Sequence, residues 1–302
     1  MRPGRPADLQ ALMELWAADV REWRRDSVPR ESHLQGLLAQ IDWEARSRVV
    51  DGDRGLAAAV IVTSRSTPAG AVAYLDLAGP PEFAAGLTGW ALALARAAGA
   101  GAAEVMVARG KGEGFRRLGM EMIRPWWRMD RSLDGELPAA RPVDGYELVD
   151  GATVKPGSWT DMHNRSFSDH WRFSPRTEEE LLAGKTPPLC LMAVTEDGGL
   201  PAAVTMGQVE AYQDDPRPQP VGLVSSVGTV IEHRRRGLAG WLVAEVLRRL
   251  RDAGARHASL YVDGWSETRA YDAYYKLGFE LAFQTELWEA RFPGPGDSLR
   301  RA

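Results

Sequence analysis

Val221 to Ala253, VGLVSSVGTVIEHRRRGLAGWLVAEVLRRLRDA, is the stretch whose reading decides the fold of this chain. The apolar run Val221 to Val230 reads as a strand. Leu238 to Ala253 reads as a helix, with Leu238, Leu242, Val246 and Leu250 forming an i, i+4 stripe suited to packing on a sheet. Between them lies Arg234-Arg235-Arg236-Gly237-Leu238-Ala239-Gly240. A strand that stops at a basic, glycine-containing turn and opens a helix builds an anion site. The first N–H groups of the helix lack intrahelical partners, and the macrodipole adds partial positive charge there. Gly237 lets the backbone approach an anion closely, and Ala239 and Gly240 keep the first turn uncrowded. A diphosphate suits such a turn. The pattern is neither the G-x-x-x-x-G-K-[ST] phosphate loop nor the G-x-G-x-x-G dinucleotide fingerprint.

A second block follows. His257 to Val262 reads as a strand, and Glu267 to Phe279 (ETRAYDAYYKLGF) as a short helix. Gly278 acts there as a left-handed helix stop, and Phe279 begins the next strand. Arg234-x-x-Gly237-x-Ala239 resembles the (Gln/Arg)-x-x-Gly-x-(Gly/Ala) signature of the GCN5-related N-acetyltransferase (GNAT) superfamily. The second block resembles that family's N-x-x-A-x-x-x-Y-x-x-x-G-F element, with Glu267 standing where the family has Asn.

The resemblance implies acetyl-coenzyme A as co-substrate and a small-molecule primary amine as acceptor, attacking directly while both are bound. Val227, Gly228 and Thr229 would pair with the pantetheine arm as an added strand does, and one of their N–H groups would stabilise charge on the thioester oxygen. Arg234, Arg235, Arg236, Gly237, Leu238, Ala239 and Gly240 would hold the diphosphate, mainly through backbone N–H groups. Glu267 and Ala270 would touch the cofactor. Tyr274 would protonate the departing thiolate, while Tyr275 reads as a packed aromatic. The amine must also lose a proton. Ser225 and Ser226 occupy the strand where many family members carry a Glu, so the base stays open among Glu210, Glu232, Asp169, His170 and a water chain. His233, beside three arginines, reads as a surface residue at the diphosphate end.

Composition narrows the partners. The formal net charge of −4 disfavours a general nucleic-acid or membrane-surface binder. The single cysteine, Cys190, excludes an intrachain disulfide and lies in LCLMAVT, which reads as a buried strand carrying a structural thiol. No apolar run approaches the roughly 18 residues that span a bilayer. MRPGRPADLQ lacks the apolar core of a signal peptide, so a cytoplasmic monomer or homodimer is the expectation. Histidines 33, 163, 170, 233 and 257 show no metal-ligand spacing, and no metal is expected.

The chain also repeats itself. Gly86-Leu87-Thr88-Gly89-Trp90 mirrors Gly237-Leu238-Ala239-Gly240-Trp241, each reading as the opening of a helix. Phe115-Arg116-Arg117-Leu118-Gly119-Met120 mirrors Tyr274-Tyr275-Lys276-Leu277-Gly278-Phe279. The expected fold is an α/β mixed sheet made of two tandem GNAT folds, resembling the mycothiol-synthase-like group, with the N-terminal copy degenerate. Phe83, Ala84 and Ala85 replace the three arginines, Pro80, Pro81 and Glu82 precede them, and Phe115 replaces Tyr274. Proline supplies no N–H and the carboxylate repels an anion. The expected division is 1–137 for the first copy, structural or retaining a weakened ligand, 138–144 for a linker, and 145–302 for the catalytic copy. In the second copy Thr160 to Phe173 reads as a helix and then a turn, and the resemblance implies that Ser168-Asp169-His170-Trp171 lies in the segment passing over the acceptor cleft. Glu178 to Leu182 reads as a helix capped by Thr177, and strands are expected at Leu189 to Thr195 and Ala202 to Ala211. Asp214 and Asp215 read first as solvated loop charge; together with Glu210 and Asp169 they would favour a cationic acceptor. A non-catalytic coenzyme-A sensor and an aminoacyl-tRNA-dependent transferase are the competing readings.

Overall fold

Residues 1–23, 39, 41–53, 55–67, 70–151, 153, 157–182, 185–211 and 217–292 are described by the computed structural model. Asp214, Asp215 and His33 lie outside the described residues. The first half comprises β1 (Arg2–Pro3), α1 (Leu9–Trp23), α2 (Trp43–Arg46), β2 (Ser47–Gly52), β3 (Gly55–Thr67), β4 (Gly70–Ala78), α3 (Pro81–Ala97), β5 (Ala102–Ala108) and β6 (Glu121–Ser132). The second comprises β7 (Tyr146–Asp150), α4 (Ser158–Phe167), α5 (Glu178–Leu182), β8 (Cys190–Thr195), β9 (Pro201–Glu210), β10 (Val221–Thr229), α6 (Leu238–Asp252), β11 (His257–Asp263), α7 (Ala270–Lys276) and β12 (Glu280–Arg291). The strand that follows Phe279, β12, is one long element with register shifts at Leu281/Phe283 and Leu287/Trp288.

The described strands form one mixed sheet in the order β1-β2-β3-β4-β5-β12-β6-β11-β10-β9-β8-β7. The order shows an exchange. The last strand of the second half, β12, inserts between β5 and β6, and β6 pairs from Trp126 to Ser132 with β11. Trp288, Ala290 and Phe292 consequently belong to the core of the first half, and Met129 to that of the second. The two halves, on either side of the expected linker, therefore each hold a strand of the other. That connecting segment is not loose, because Leu137, Ala140 and Val143 pack on the second core.

Side-chain alternation sorts the helices onto faces. Ala58, Val60 and Val62 of β3 pack with α3, while Ala59 and Ile61 pack with α1. In the second half Leu191 and Ala193 pack with α6, while Cys190 and Met192 pack with α4. The stripe Leu238, Leu242, Val246 and Leu250 is wholly buried. Cys190 is buried and free, and burial pushes its thiol up. Thr177 caps α5 by a reciprocal box: Glu180 N–H donates to Thr177 Oγ1 at 3.3 Å, and Thr177 N–H donates to Glu180 Oε2 at 2.8 Å.

The internal repeat survives at the level of single bonds. Phe279 N–H donates to Tyr274 O at 3.0 Å, and Met120 N–H to Phe115 O at 3.2 Å. Gly278 and Gly119 both take left-handed φ, 79° and 77°. One expectation fails. The segment from Gly86 does not open its helix, because α3 starts at Pro81 and Gly86 sits in its interior. The positions matching the three arginines are thus wound into helix, a winding that Pro81 at its first position favours.

The exchange has a measurable consequence. Trp288, buried edge-on against Phe115 at 5.8 Å, should cost about 3–5 kcal/mol of global stability when replaced by Ala. Denaturant unfolding checks this. A loss below about 1 kcal/mol would mean that the sequence-distant strand does not hold the first core.

Candidate active site

The site begins with a split in the sheet. β10 and β11 run parallel and pair only from Val221↔His257 to Val224↔Leu260. Beyond that point β10 stays with β9 as far as Thr229↔Ala203, and β11 stays with β6 as far as Asp263↔Trp126. Each strand follows its outer neighbour, so Ser225–Thr229 and Tyr261–Asp263 become two lips facing each other without ladder bonds.

A bulge finishes the first lip. The β10–β9 register slips between Ser225 and Gly228, and Ser226 adopts φ 51°, a left-handed value unusual for a side-chain-bearing residue. The bulge turns the Ser226–Val227 backbone out of regular pairing. Gly228 is required beside it: a Cβ there would lie 2.7 Å from Ser166 Cβ and from Phe167 Cε2 on α4. A uniform strand was expected, and no local residue pattern announces the bulge.

The basic turn follows. Gly237 caps α6 with φ 93°, and the first backbone bond of the helix is Trp241 N–H to Gly237 O at 3.0 Å. The N–H groups of Leu238, Ala239 and Gly240 precede it and are the orphan donors of the helix start. Arg235, with φ 65°, and Arg236 are exposed, whereas Leu238 is buried. Arg234 behaves differently. Its guanidinium grips both Asp169 oxygens at 2.6 and 2.8 Å, Ser166 O at 3.1 Å and Thr229 O at 3.0 Å. Its side chain is thus spent on the loop after α4. His233 Nδ1 lies 2.7 Å from the Tyr146 hydroxyl on β7, which anchors it.

On the second lip, Tyr274 is buried in the cluster that holds Leu238, with Val227 and Ala270 packed against it. Its ring meets Phe279 at 6.1 Å. The hydroxyl has no hydrogen-bond partner among the described residues, yet it is not sealed from solvent. Burial pushes the phenol well above its ordinary value, so it stays protonated at neutral pH. Tyr275 is exposed and not packed as expected, because it lies one position round the helix from Tyr274. Glu267 is exposed in the turn before α7.

The candidate bases separate by position. Glu210 pairs with Val221 at the far end of β10, roughly 25 Å from Thr229 at about 3.3 Å per residue, and is out of reach. Glu232 is exposed beyond the end of β10 and lines a cavity of about 790 Å³ with Thr160, Asn164 and Ile231. The Arg234 hydrogen bonds hold the Asp169 carboxyl below the usual range, which makes it a poor proton acceptor. His170 remains. The residue is exposed overall, but its ring lies against Phe167 at 4.7 Å, and this desolvation lowers its pKa, helped by Arg234 and opposed by Asp169 and Asp263.

The first half carries the same split, finished otherwise. β4 and β5 pair only from Val72↔Ala102 to Leu75↔Val105. The β4–β3 ladder runs without a bulge to Ala78↔Ala59. Beyond the two strand ends, Asp19 of α1 accepts from Gly79 N–H at 3.0 Å and forms a fully buried ion pair with Lys111. A residual cavity of about 390 Å³ is lined by Glu82, Ala84, Ala85 and Phe115. Among the described residues no cluster of His, Cys, Asp and Glu could hold a metal ion, and no helix is long and apolar enough to cross a membrane.

This splayed mixed sheet, with a bulged lip and a glycine-capped helix start, is the GNAT fold, present here as two tandem copies. It is shared along the whole chain with a GCN5-related N-acetyltransferase from Sphaerobacter thermophilus (TM-score 0.77, 22% identity, covering 97% of this chain and 96% of that one). A tandem GNAT protein from the clavulanic acid biosynthesis pathway shows it too (TM-score 0.65, 17% identity, 97% and 98%). Residues 157–279 match the model of the acetyltransferase (GNAT) family, so this stretch is a GNAT-family domain. Similar curated proteins include mycothiol acetyltransferases of Kytococcus sedentarius (33% identity over 58% of this chain and 61% of that protein) and Thermobispora bispora (33% over 53% and 55%). The matches thus span between about half and three-fifths of those relatives' length.

The raised phenol gives a direct check. Up to about pH 11, the wild-type protein and Tyr274→Phe should release the same number of phenolic protons in an alkaline absorbance titration. One more proton from the wild type would contradict the desolvated environment assigned to Tyr274.

Proposed function

We propose that the second half transfers an acetyl group from acetyl-coenzyme A to a primary amine of a small molecule, with both substrates bound together. The observation that carries this reading is a buried tyrosine ring whose hydroxyl has no hydrogen-bond partner among the described residues, set in the cluster that joins the bulged lip to the start of α6. A phenol kept protonated there has no structural bond to make and is free to give its proton. Val227, Gly228 and Thr229 offer the backbone of the bulged lip to the pantetheine arm, and the N–H groups of Gly237, Leu238, Ala239 and Gly240 offer donors to the diphosphate. Arg235 and Arg236 add exposed positive charge, and Glu267 and Ala270 border the same cleft. Arg234 serves by fixing the turn and not as a direct ligand. Relatives that bear the name mycothiol acetyltransferase support a small-molecule acceptor.

The amine nitrogen attacks the thioester carbonyl carbon, and the N–C bond forms as the C–S bond breaks. Attack makes the nitrogen acidic, and His170, neutral at physiological pH, takes its proton. The departing thiolate takes the proton of Tyr274, and the two side chains then exchange protons with solvent. With ordinary pKa values phenol and thiol are nearly matched. Burial lifts the phenol above that value, but the same apolar surroundings lift the thiol's proton affinity as well, so the transfer stays feasible.

Thiol release from acetyl-coenzyme A with a panel of primary amines tests the reading. Tyr274→Phe should lower kcat by about 10²–10⁴-fold with little change in acetyl-coenzyme A affinity. For the wild type, kcat/KM should fall as pH drops through the lowered His170 value, below about 6.5, and His170→Gln should lose that limb along with most of its rate. Unchanged turnover in Tyr274→Phe would remove the assigned acid, and no thiol release with any amine would remove the activity.

A further inference from the structure

The segment 168–173, which follows α4, is tied down at points far apart in the fold. At its start, Asp169 is gripped by Arg234, which also holds Thr229 O at the end of the β10 lip. In its middle, Trp171 lies between two guanidiniums, with Arg124 4.6 Å and Arg172 4.5 Å from its ring. Arg124 pairs with Asp263, the last residue of the β11 lip. The segment therefore spans the split from one lip to the other, on the α4 face of the sheet.

Its far end is held by the other half of the chain. The Arg172 guanidinium bridges two carboxylates, Glu104 on β5 and Glu289 on β12. These two residues are directly paired in the β5–β12 ladder. Their neighbours Val105 and Trp288 point into the α3 core, so both carboxylates emerge on the opposite face, the one α4 occupies. Both glutamates are buried, and Arg172 holds φ 51°, a left-handed value that costs energy in any residue with a side chain. A strained backbone pinned by two buried carboxylates is a built anchor and not a chance surface contact. It also exists only because β12 is exchanged into the first half, which brings Glu289 beside Glu104.

We propose that Glu104, in the half without the acetyl-transfer residues, is a positioning residue for the second half's site: through Arg172 it fixes the 168–173 strap across the mouth of the cleft and so sets how the amine acceptor is held. The inference rests on the activity proposed above for its kinetic consequence, but not for the anchoring itself. The first half then contributes to catalysis without touching either substrate.

Two readouts test it. In hydrogen exchange, Glu104→Gln and Arg172→Ala should each speed exchange of 168–173 while leaving α6 unchanged. In kinetics, each should lower kcat/KM for the acceptor about tenfold or more with acetyl-coenzyme A affinity unchanged, since a small misplacement near reacting groups is costly. Arg172→Lys, which can reach one carboxylate but not fork across two, should fall between. Unchanged exchange of 168–173 in both variants overturns the anchor. Faster exchange with an unchanged acceptor kcat/KM overturns the positioning role. A wild type that releases no thiol with any amine counts against the activity alone, and exchange then still decides the anchor.

Discussion

Two parallel strands that cannot stay together are the constraint on which this molecule is built. β10 and β11 share a ladder only from Val221 to Val224, because each remains bonded to its outer partner, β9 or β6, to its end. Sheet twist makes such a parting low in cost once the ladders on either side are complete. The groups proposed to act in acetyl transfer gather at the parting: the bulge at Ser226, the glycine-capped start of α6, and Tyr274 from the helix beyond β11. The exchange of β6 and β12 between halves supplies one of the two outer ladders. The split of the second half thus depends on a strand encoded in the first.

The same split occurs twice, and the contrast shows what a binding cleft needs beyond the fold. In the first half the residues that would make an anion turn are wound into α3, and the strand is unbulged. A buried Asp19–Lys111 pair staples the Gly79 side to the far side of β5. Burying an ion pair is expensive unless its geometry and remaining bonds are satisfied, and breaking one partner costs more than removing both. That pair is therefore a fixed part of the first core. In the second half, by contrast, the 168–173 strap links the lips over the α4 face.

Much of this was legible in the sequence because it is local. Gly237 and Gly278 are left-handed stops at helix ends, and their neighbours' apolar spacing fixed α6 and α7. The repeat of Phe115–Met120 with Tyr274–Phe279 announced two copies of one fold. What could not be read is non-local. The Arg234 guanidinium is bound to Asp169, 65 residues away, a pairing that no local pattern announces. Glu210 looked like a possible base because chain proximity to β10 hides that it sits at the wrong end of the strand. The start of α3 was misplaced because GLTGW copies the helix-opening residues of the second half, while the decisive difference lies upstream at Pro80 and Pro81. Glu104 and Arg172 carry no motif at all, since their meeting depends on the exchanged β12.

Of the two partings in the sheet, only the second is proposed to hold acetyl-coenzyme A. Calorimetric titration of the full chain with acetyl-coenzyme A tests it most directly. The account predicts one site per chain, lost when Gly237 and Ala239 are replaced by bulky residues and kept when Phe115 is replaced by Tyr. Two sites per chain, or one that survives the changes at Gly237 and Ala239, would contradict it.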